Sequence, residues 1–229
     1  MNRIAYDFLS LFFPNICCLC GETRVFGEPE ICSLCLVSMP RELNYDGYRN
    51  NTVSRLQGML KFEQAYSFLR FRKNSRVQSL LHQVKYQGKA NLGIQLGKWF
   101  AAEILYNIRN DFELVVPVPL HQDRLSARGY NQSLKIATGI CQITGHRIGD
   151  VLRREHATKT QTRLSRWERF ENTVNEFRLA NADLIKNRRV LLLDDIITTG
   201  ATIVGCAMPL VQGGVDKLIV ASVGLTQEL

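Results

Sequence analysis

One segment in the last fifth of the chain limits the possible folds more than any other. Four apolar residues, Val190–Leu193, run directly into the adjacent acids Asp194 and Asp195, and a hydroxyl-rich turn leads on to Gly200. The apolar run Arg189–Leu193 predicts a buried strand, and Gly200–Gln212 predicts a helix. Ligands of parallel sheets bind at the carboxyl ends of the strands. This order of elements therefore predicts an α/β fold with a ligand site directly after the strand.

The turn after the acids has the chemistry of a phosphate site. A helix N-terminus presents unpaired backbone N–H groups and a positive dipole to an anion, and a glycine lets the backbone approach closely. Carboxylates only accept hydrogen bonds, so the two acids suit sugar hydroxyls or a bound cation. The alternative is a helix N-terminus with ordinary capping residues. We predict a sugar phosphate held by Asp194, Asp195, Thr198, Thr199, Gly200, Ala201 and Thr202.

A second strand also ends in a loop that precedes a helix. Glu113–Val118 is compact and apolar, and the basic residues Arg124 and Arg128 follow shortly afterwards. This arrangement repeats the strand, loop and helix start of the first site. The candidate residues of this second loop are Pro119, Leu120, His121 and Arg128.

Hydrophobic periodicity assigns much of the remaining chain. Further strands are predicted at Met59–Phe62, Tyr66–Phe71, Val151–Leu152 and Lys217–Gly224. Helices are predicted through Val77, Leu80, Leu81 and Val84, through Leu92, Leu96, Trp99 and Phe100, and over Asn131–Thr144 with Leu134, Ala137 and Cys141 on one face. The polar stretches Pro40–Asn51 and Arg153–Gln161 predict a connector and a loop. Strands that alternate with helices imply a mostly parallel sheet with helices on both faces.

Four of the seven cysteines have the spacing of a metal site. They form the pairs Cys17-x2-Cys20 and Cys32-x2-Cys35, and two such pairs supply the tetrahedral sulfur set that Zn2+ prefers. Four sulfur ligands leave no open position, so we predict a structural zinc ribbon. Four free thiols are the alternative, and Cys18 could compete with Cys17 as a ligand. Cys141 and Cys206 stand alone on helical faces and are expected to be buried and inert.

The charge of the chain favours an anionic partner. The net charge is +8, and the segment Gln64–Asn91 carries six basic residues and no acid. The aromatic residues Tyr66, Phe68, Phe71 and Tyr86 are interleaved with them. Cations beside stacking aromatics suit single-stranded nucleic acid, whereas a solvated helix face with core aromatics is the alternative. The nucleic-acid candidates are Arg70, Arg72, Lys73, Arg76, Lys85 and Lys89.

The N-terminal apolar stretch predicts no membrane span. Phe8–Phe13 holds six residues and ends at Pro14, whereas a span needs about 20 apolar residues. A secretory signal would need a longer apolar region and a cleavage site. The spacing of Ile4, Phe8 and Leu11 suits a short helix that covers a neighbouring surface. We therefore expect a soluble, cytoplasmic protein.

The segment from Asp194 to Thr202 resembles the signature of the type I phosphoribosyltransferases. In that family the paired acids bind the ribose hydroxyls, the Thr/Gly loop binds the 5′-phosphate, and a loop after an equivalent second strand binds pyrophosphate. The resemblance therefore implies phosphoribosyl pyrophosphate as the ligand, together with Mg2+. Transfer would need positive charge over the leaving pyrophosphate, and the candidate catalytic residues are Lys159 and Arg163, with Arg166 close by. A solvated basic loop is the alternative for these residues.

The motifs together resemble the ComF/GntX family of competence-associated, phosphoribosyltransferase-like proteins. The resemblance rests on the four cysteines, Lys85-Tyr86-Gln87-Gly88, the second loop and the acid-loop segment, in that order; Gln161, Arg169 and Asn172 also match. It implies a type I phosphoribosyltransferase fold with an N-terminal zinc ribbon and a role in DNA uptake or processing during natural transformation. The expected domains are residues 1–40 with the N-terminal helix and ribbon, a connector at 41–58, and the phosphoribosyltransferase-like domain at 59–229.

Three functions remain open from the sequence. The first is an enzyme that transfers a phosphoribosyl group to an acceptor that no residue identifies. The second is a factor that binds single-stranded DNA and uses the sugar phosphate as a regulatory or structural ligand. The third, a plain zinc-stabilised interaction module, leaves Asp194, Asp195 and Thr199 unexplained.

Overall fold

A computed structural model describes residues 14–42, 46–86, 88–155 and 175–227. Among these residues a five-stranded sheet has the order β1-β7-β6-β2-β3, and every neighbouring pair is parallel. Two further short strands, β4 and β5, form a separate antiparallel pair. The strands are β1 Gln64–Phe71, β2 Leu114–Pro117, β3 Arg147–Ile148, β4 Leu152–Arg154, β5 Phe177–Leu179, β6 Arg189–Ile197 and β7 Lys217–Thr226.

Helices cover both faces of the sheet. The helices are α1 Ser33–Val37, α2 Asn51–Leu56, α3 Arg76–Tyr86, α4 Ala90–Glu103, a 3-10 helix Leu105–Asp111, α5 Gln122–Arg128, α6 Gln132–Thr144 and α7 Ala201–Gln212. Side chains alternate along β6, so Leu191 and Leu193 join one core with α3, α4 and α6, whereas Val190 and Leu192 join a second core with α7. The predicted α/β class, a mostly parallel sheet flanked by helices, is confirmed.

Three sequence predictions about local structure are wrong. Met59–Phe62 is irregular rather than a strand, because a turn at Gly58, with φ of +78°, follows α2. Strand β6 continues four residues beyond Leu193, because its later residues still pair with β7. Leu134 is exposed on α6, whose buried face instead carries Ile136, Ala137 and Ile140.

Two glycines allow α4 and α6 to pack with their backbones in contact. A Cβ atom on Gly97 would lie 2.0 Å from the carbonyl oxygen of Ile136, and one on Gly139 would lie 2.0 Å from that of Ile94. Any larger residue would push the helices apart. This contact fixes the position of α6, whose first turn reaches the end of β6.

The cysteine-containing segment packs on the same core as β1, α3 and α4. Cys17, Ile31 and Met39 are buried in that core. The Gln83 side chain of α3 donates a hydrogen bond of 2.6 Å to the Cys18 carbonyl. Arg41 forms an ion pair of 2.8 Å with Glu103 of α4. The segment is therefore attached to the α/β domain by both apolar and polar contacts.

The predicted connector contains α2, which packs against β1. Its residues Thr52 and Leu56 are buried, and the Thr52 hydroxyl donates to Ser67 Oγ at 2.8 Å. The domain limits 1–40, 41–58 and 59–229 stay a prediction, and the N-terminal helix expected before residue 14 lies outside the described residues. No helix among the described residues is long and apolar enough to cross a membrane.

Candidate functional site

Two buried acids lie near the carboxyl end of β6. Asp194 and Asp195 are 6% and 4% exposed. One Asp194 oxygen, Oδ1, accepts hydrogen bonds from the Asp195 backbone N–H at 2.8 Å and from Ser133 Oγ at 3.2 Å. Burial and, secondly, the adjacent Asp195 carboxylate raise the pKa of Asp194 to about 7. Ionisation of both acids therefore has an electrostatic cost in the folded protein.

Lys85, at the end of α3, supplies the facing positive charge. Its Nζ lies 2.7 Å from Asp195 Oδ2 and its side chain is 22% exposed. No other donor among the described residues bonds to this buried oxygen. Lys85 was predicted to contact nucleic acid, whereas it lies beside the acid pair in the structure. Because the two residues lie on distant elements, no local signal could have joined them.

The Thr/Gly turn leads from β6 into α7 as predicted. Gly200 is the residue before the helix and has φ of +90°, a left-handed conformation that favours glycine. A Cβ atom there would also lie 2.9 Å from Leu56 Cδ2 of α2. Thr198 and Thr199 are exposed, and Ala201 and Thr202 begin the helix. The first turn of a twelve-residue helix therefore opens beside the acids.

Arg55 of α2 holds this turn, although the sequence analysis did not single it out. Its guanidinium donates to the Thr198 carbonyl, to Thr226 Oγ1 at 3.1 Å and to the Thr226 carbonyl at 3.0 Å. Thr226 lies at the end of β7, so Arg55 ties the turn to the neighbouring strand. The contact joins residues 143 positions apart in the chain, so nothing local in the sequence indicates it.

The second predicted loop begins beside the first site. Strand β2 pairs with β6, so that Pro117 lies opposite Leu193, and the Val118 N–H donates to the Leu193 carbonyl at 2.9 Å. The residues that follow, Pro119 and Leu120, therefore leave the sheet next to the acid pair. Asn131 donates through its amide to the Val118 carbonyl at 2.9 Å and caps α6.

The two side chains predicted for that loop have intramolecular partners. His121 caps α5, and its Nδ1 accepts a hydrogen bond of 3.2 Å from the Asp123 N–H. Arg128, at the end of α5, donates to Gln132 Oε1 at 3.0 Å and to Tyr86 Oη at 3.2 Å. The structure thus brings the two loops to the same edge of the sheet and connects the second one to α3.

The candidate catalytic residues Lys159 and Arg163 lie outside the described residues. The same holds for Gln161, Arg166 and Arg169, and for Asn172 and Gln87 of the family pattern. Their roles stay predictions.

Four cysteines form a cluster that could hold a metal such as zinc. The sulfur atoms of Cys17, Cys20, Cys32 and Cys35 all lie within 4.8 Å of one another, and those of Cys20 and Cys32 are 3.8 Å apart. Tetrahedral Zn2+ with bonds of about 2.3 Å separates its sulfur ligands by about 3.8 Å, so the four residues fit this ion. Burial opposes ionisation of Cys17, but backbone N–H donors outweigh it and lower its pKa to about 6. Cys18 is not part of the cluster.

Cys206 is the buried thiol that the sequence predicted, whereas Cys141 is only partly buried. Burial raises the pKa of Cys141 to about 11 and raises the pKa of Cys206 well above its ordinary value. Both therefore remain thiols at neutral pH, which fits the inert role expected of them.

Four of the six nucleic-acid candidates contact other parts of the protein. Arg70 Nε lies 3.8 Å from Oε2 of the buried Glu42, and Lys89 Nζ donates to Gln83 Oε1 at 2.6 Å. Lys85 faces the acid pair, as described above, and Arg76 Nη1 donates to Ser38 Oγ at 3.3 Å. Arg72, Lys73 and Arg76 are exposed in and after the turn that follows β1.

The aromatic residues of the same segment are largely in the core. Phe68 is 1% exposed and stacks on Phe100 with ring centroids 5.4 Å apart, and Tyr66 is 5% exposed. Stacking of bases on these two rings is therefore excluded by their burial. Tyr86 is 60% exposed, but the Arg128 guanidinium lies 4.8 Å from its ring centroid.

No protein-family model matches the chain. DNA utilization protein YhgH of Salmonella typhi is 26% identical over 221 residues, which cover 89% of this chain and 94% of that protein. The Escherichia coli protein of the same name is 31% identical over 144 residues, 59% of this chain and 61% of that one. Competence protein F of Haemophilus influenzae is 34% identical over 108 residues, 46% of this chain and 47% of that one. The chain thus spans about three fifths and about half of the latter two relatives.

Solved structures of two phosphoribosyl-handling proteins are also similar. Glutamine phosphoribosylpyrophosphate amidotransferase from Bacillus subtilis has a TM-score of 0.41 and 21% identity, over 59% of this chain and 26% of that one. A hypoxanthine phosphoribosyltransferase from Staphylococcus aureus has a TM-score of 0.34 and 16% identity, over 66% of this chain and 71% of that one.

The fold and the site define a class of protein. It is an α/β protein whose described residues form a parallel five-stranded sheet, with paired acids and a Thr/Gly turn at the end of one strand, and with a four-cysteine cluster near its N-terminus. The curated relatives, named DNA utilization protein and Competence protein F, support the ComF/GntX family that the sequence resembles.

Proposed function

We propose that the protein binds phosphoribosyl pyrophosphate with Mg2+ at the edge of the sheet where β6 and β2 end. The observation that carries this proposal is the buried acid pair beside the N-terminus of a twelve-residue helix. Asp194 and Asp195 would accept hydrogen bonds from the ribose hydroxyls, and residues 198–202 would donate to the 5′-phosphate. The loop that contains Pro119, Leu120, His121 and Arg128 would receive the pyrophosphate. Mg2+, when bound with the ligand, would neutralise phosphate charge.

The biological role that we propose is the uptake or processing of DNA in natural transformation, in the cytoplasm. The supporting observation is that the relatives are named DNA utilization protein and Competence protein F. The four-cysteine cluster would hold a structural Zn2+ that stabilises the N-terminal segment.

Ligand-dependent thermal stabilisation tests the binding proposal. Phosphoribosyl pyrophosphate with Mg2+ at 100 times its Kd should stabilise the protein by about 2.7 kcal/mol. The double variant Asp194→Asn, Asp195→Asn should lose this effect, whereas the exposed-site control Asp183→Asn should keep it. Equal stabilisation of the double variant and the native protein would refute the assignment of the acids.

Turnover is a separate question from binding. The enzyme hypothesis adds transfer of the phosphoribosyl group to an acceptor, with Lys159 and Arg163 as candidate catalytic residues. Pyrophosphate release, measured with Mg2+ across candidate bases, tests it. Stabilisation by the ligand without release for any acceptor would instead favour a regulatory or structural role for the sugar phosphate.

Single-stranded DNA binding is a second candidate function, supported by a specific surface. Arg72, Lys73 and Arg76 lie close together in and after the exposed turn that follows β1, and the chain has a net charge of +8. Binding through phosphate contacts should weaken steeply as salt rises, because each neutralised phosphate releases counterions. The triple replacement of these residues by glutamine should flatten that dependence, and an unchanged salt slope would remove this surface from consideration.

A further inference from the structure

Three successive residues at the end of α3 contact three different parts of the site. The Val84 carbonyl accepts a hydrogen bond from the Tyr130 hydroxyl, which follows α5. Lys85 forms its ion pair with Asp195, and Tyr86 accepts a hydrogen bond from Arg128 of the second loop. Both neighbours of Lys85 are thus held, and the Lys85 ammonium lies beside the acid pair.

The oxygens of the two acids have different partners. Asp194 Oδ1 already accepts two hydrogen bonds, from Ser133 and from the Asp195 N–H. Asp195 Oδ2 is buried and lies 2.7 Å from Lys85 Nζ, and no other donor among the described residues bonds to it. A carboxylate offers about four acceptor sites, so Asp195 keeps acceptor capacity for a donor from a ligand.

We propose that Lys85 is a positioning residue that makes the site selective for a hydroxyl-bearing sugar phosphate over a simple phosphate. The inference rests on the proposed function, because it requires the acid pair to bind sugar hydroxyls. Lys85 offsets the repulsion between the adjacent carboxylates and holds Asp195 in one orientation. A hydroxyl that donates to an oriented carboxylate forms a charge-assisted hydrogen bond, which is stronger than a neutral one. Among the described residues, no hydrogen bond or ion pair joins Lys85 to the turn at 198–202, and its ammonium group instead pairs with Asp195. The affinity of that turn for phosphate alone should therefore depend little on Lys85.

The affinities for ribose 5-phosphate and for inorganic phosphate distinguish this selective role of Lys85 from a general role in phosphate binding. Dissociation constants of ribose 5-phosphate and of inorganic phosphate would be measured for the native protein, Lys85→Met and Lys85→Arg. Lys85→Met should weaken ribose 5-phosphate about tenfold, the effect of about one charge-assisted hydrogen bond. It should change inorganic phosphate by less than about twofold, and Lys85→Arg should restore most of the preference. Lys217→Met removes the same charge from the exposed amino end of β7 and should change neither affinity.

Several outcomes would overturn the inference. Equal losses for both probes would make Lys85 a phosphate-binding residue, and tighter binding of ribose 5-phosphate to Lys85→Met would make it an intramolecular competitor of the ligand. Failure of Lys85→Arg to rescue would show that the charge is not what matters. Where Lys85→Met does not fold, Lys85→Gln provides the same comparison.

The double variant Asp194→Asn, Asp195→Asn distinguishes this inference from the proposed function. If it still binds ribose 5-phosphate as the native protein does, the proposed function itself fails. If it loses that binding while Lys85→Met keeps the native ratio of the two affinities, only the role of Lys85 fails.

Discussion

Replacement of Asp194 by asparagine should stabilise the ligand-free protein at neutral and higher pH. Burial and the adjacent Asp195 raise the pKa of Asp194 from 3.8 to about 7. Each pH unit of displacement corresponds to about 1.4 kcal/mol, so ionised Asp194 costs the native state up to about 4 kcal/mol. Asparagine carries no charge, and its side-chain oxygen can still accept the hydrogen bonds from Ser133 and the Asp195 N–H.

The sign of the pH dependence follows from the proton balance. Between pH 4 and pH 7 the native state keeps a proton on Asp194 that the unfolded chain has lost, because the folded pKa is the higher of the two. The contribution of Asp194 to stability is therefore full below about pH 4 and is lost as the pH rises through about 7. The advantage of Asp194→Asn should grow over the same interval and then level off.

Denaturant unfolding at several pH values between 6 and 8.5 measures this advantage. Over that range the advantage should increase by about 1 kcal/mol or more. The exposed-site variant Asp216→Asn is the matched control and should show no such increase. An Asp194→Asn variant that is less stable than the native protein throughout, or whose difference is constant with pH, would refute the reasoning. If Asp194→Asn also loses stabilisation by phosphoribosyl pyrophosphate, the carboxylate that destabilises the ligand-free protein is needed to bind the ligand.

Three further predictions concern the turn and the metal. Gly200→Ala should lower the free energy of unfolding by about 1–3 kcal/mol, because alanine disfavours φ of +90° and its Cβ would crowd α2. Gly145 has φ of +79° and open space around it, so Gly145→Ala measures the backbone strain without the crowding. Equal losses for the two variants in urea unfolding would contradict the crowding at Gly200. Arg55→Gln should weaken stabilisation by phosphoribosyl pyrophosphate in a thermal-shift assay, because the turn loses its tie to β7; undiminished stabilisation would show that the tie is dispensable. Chelation should lower the Tm, and metal analysis should find that Cys17→Ser loses the ion whereas Cys18→Ser retains it; the reverse pattern would reassign the ligand.

The sequence predicted the elements whose signals are local. The buried strand around Leu191 and the helix through Val77 and Val84 follow from hydrophobic periodicity, which depends only on neighbours along the chain. The cysteine spacing likewise predicted the four-sulfur cluster that the structure shows. By contrast, the end of β6 could not be predicted, because Asp194 stays in the strand only through its pairing with Ser222 of β7.

The partners of the acid pair were decided by tertiary structure alone. The sequence by itself determined that Asp194 and Asp195 lie towards the carboxyl end of a buried strand and precede a helix, which is enough to predict a binding site. Only the packing of α3 and α2 against the sheet brings Lys85 to Asp195 and Arg55 to the turn. Such contacts join residues far apart in the chain, and their energy comes from charges that meet only after the sheet has formed, so no local pattern encodes them.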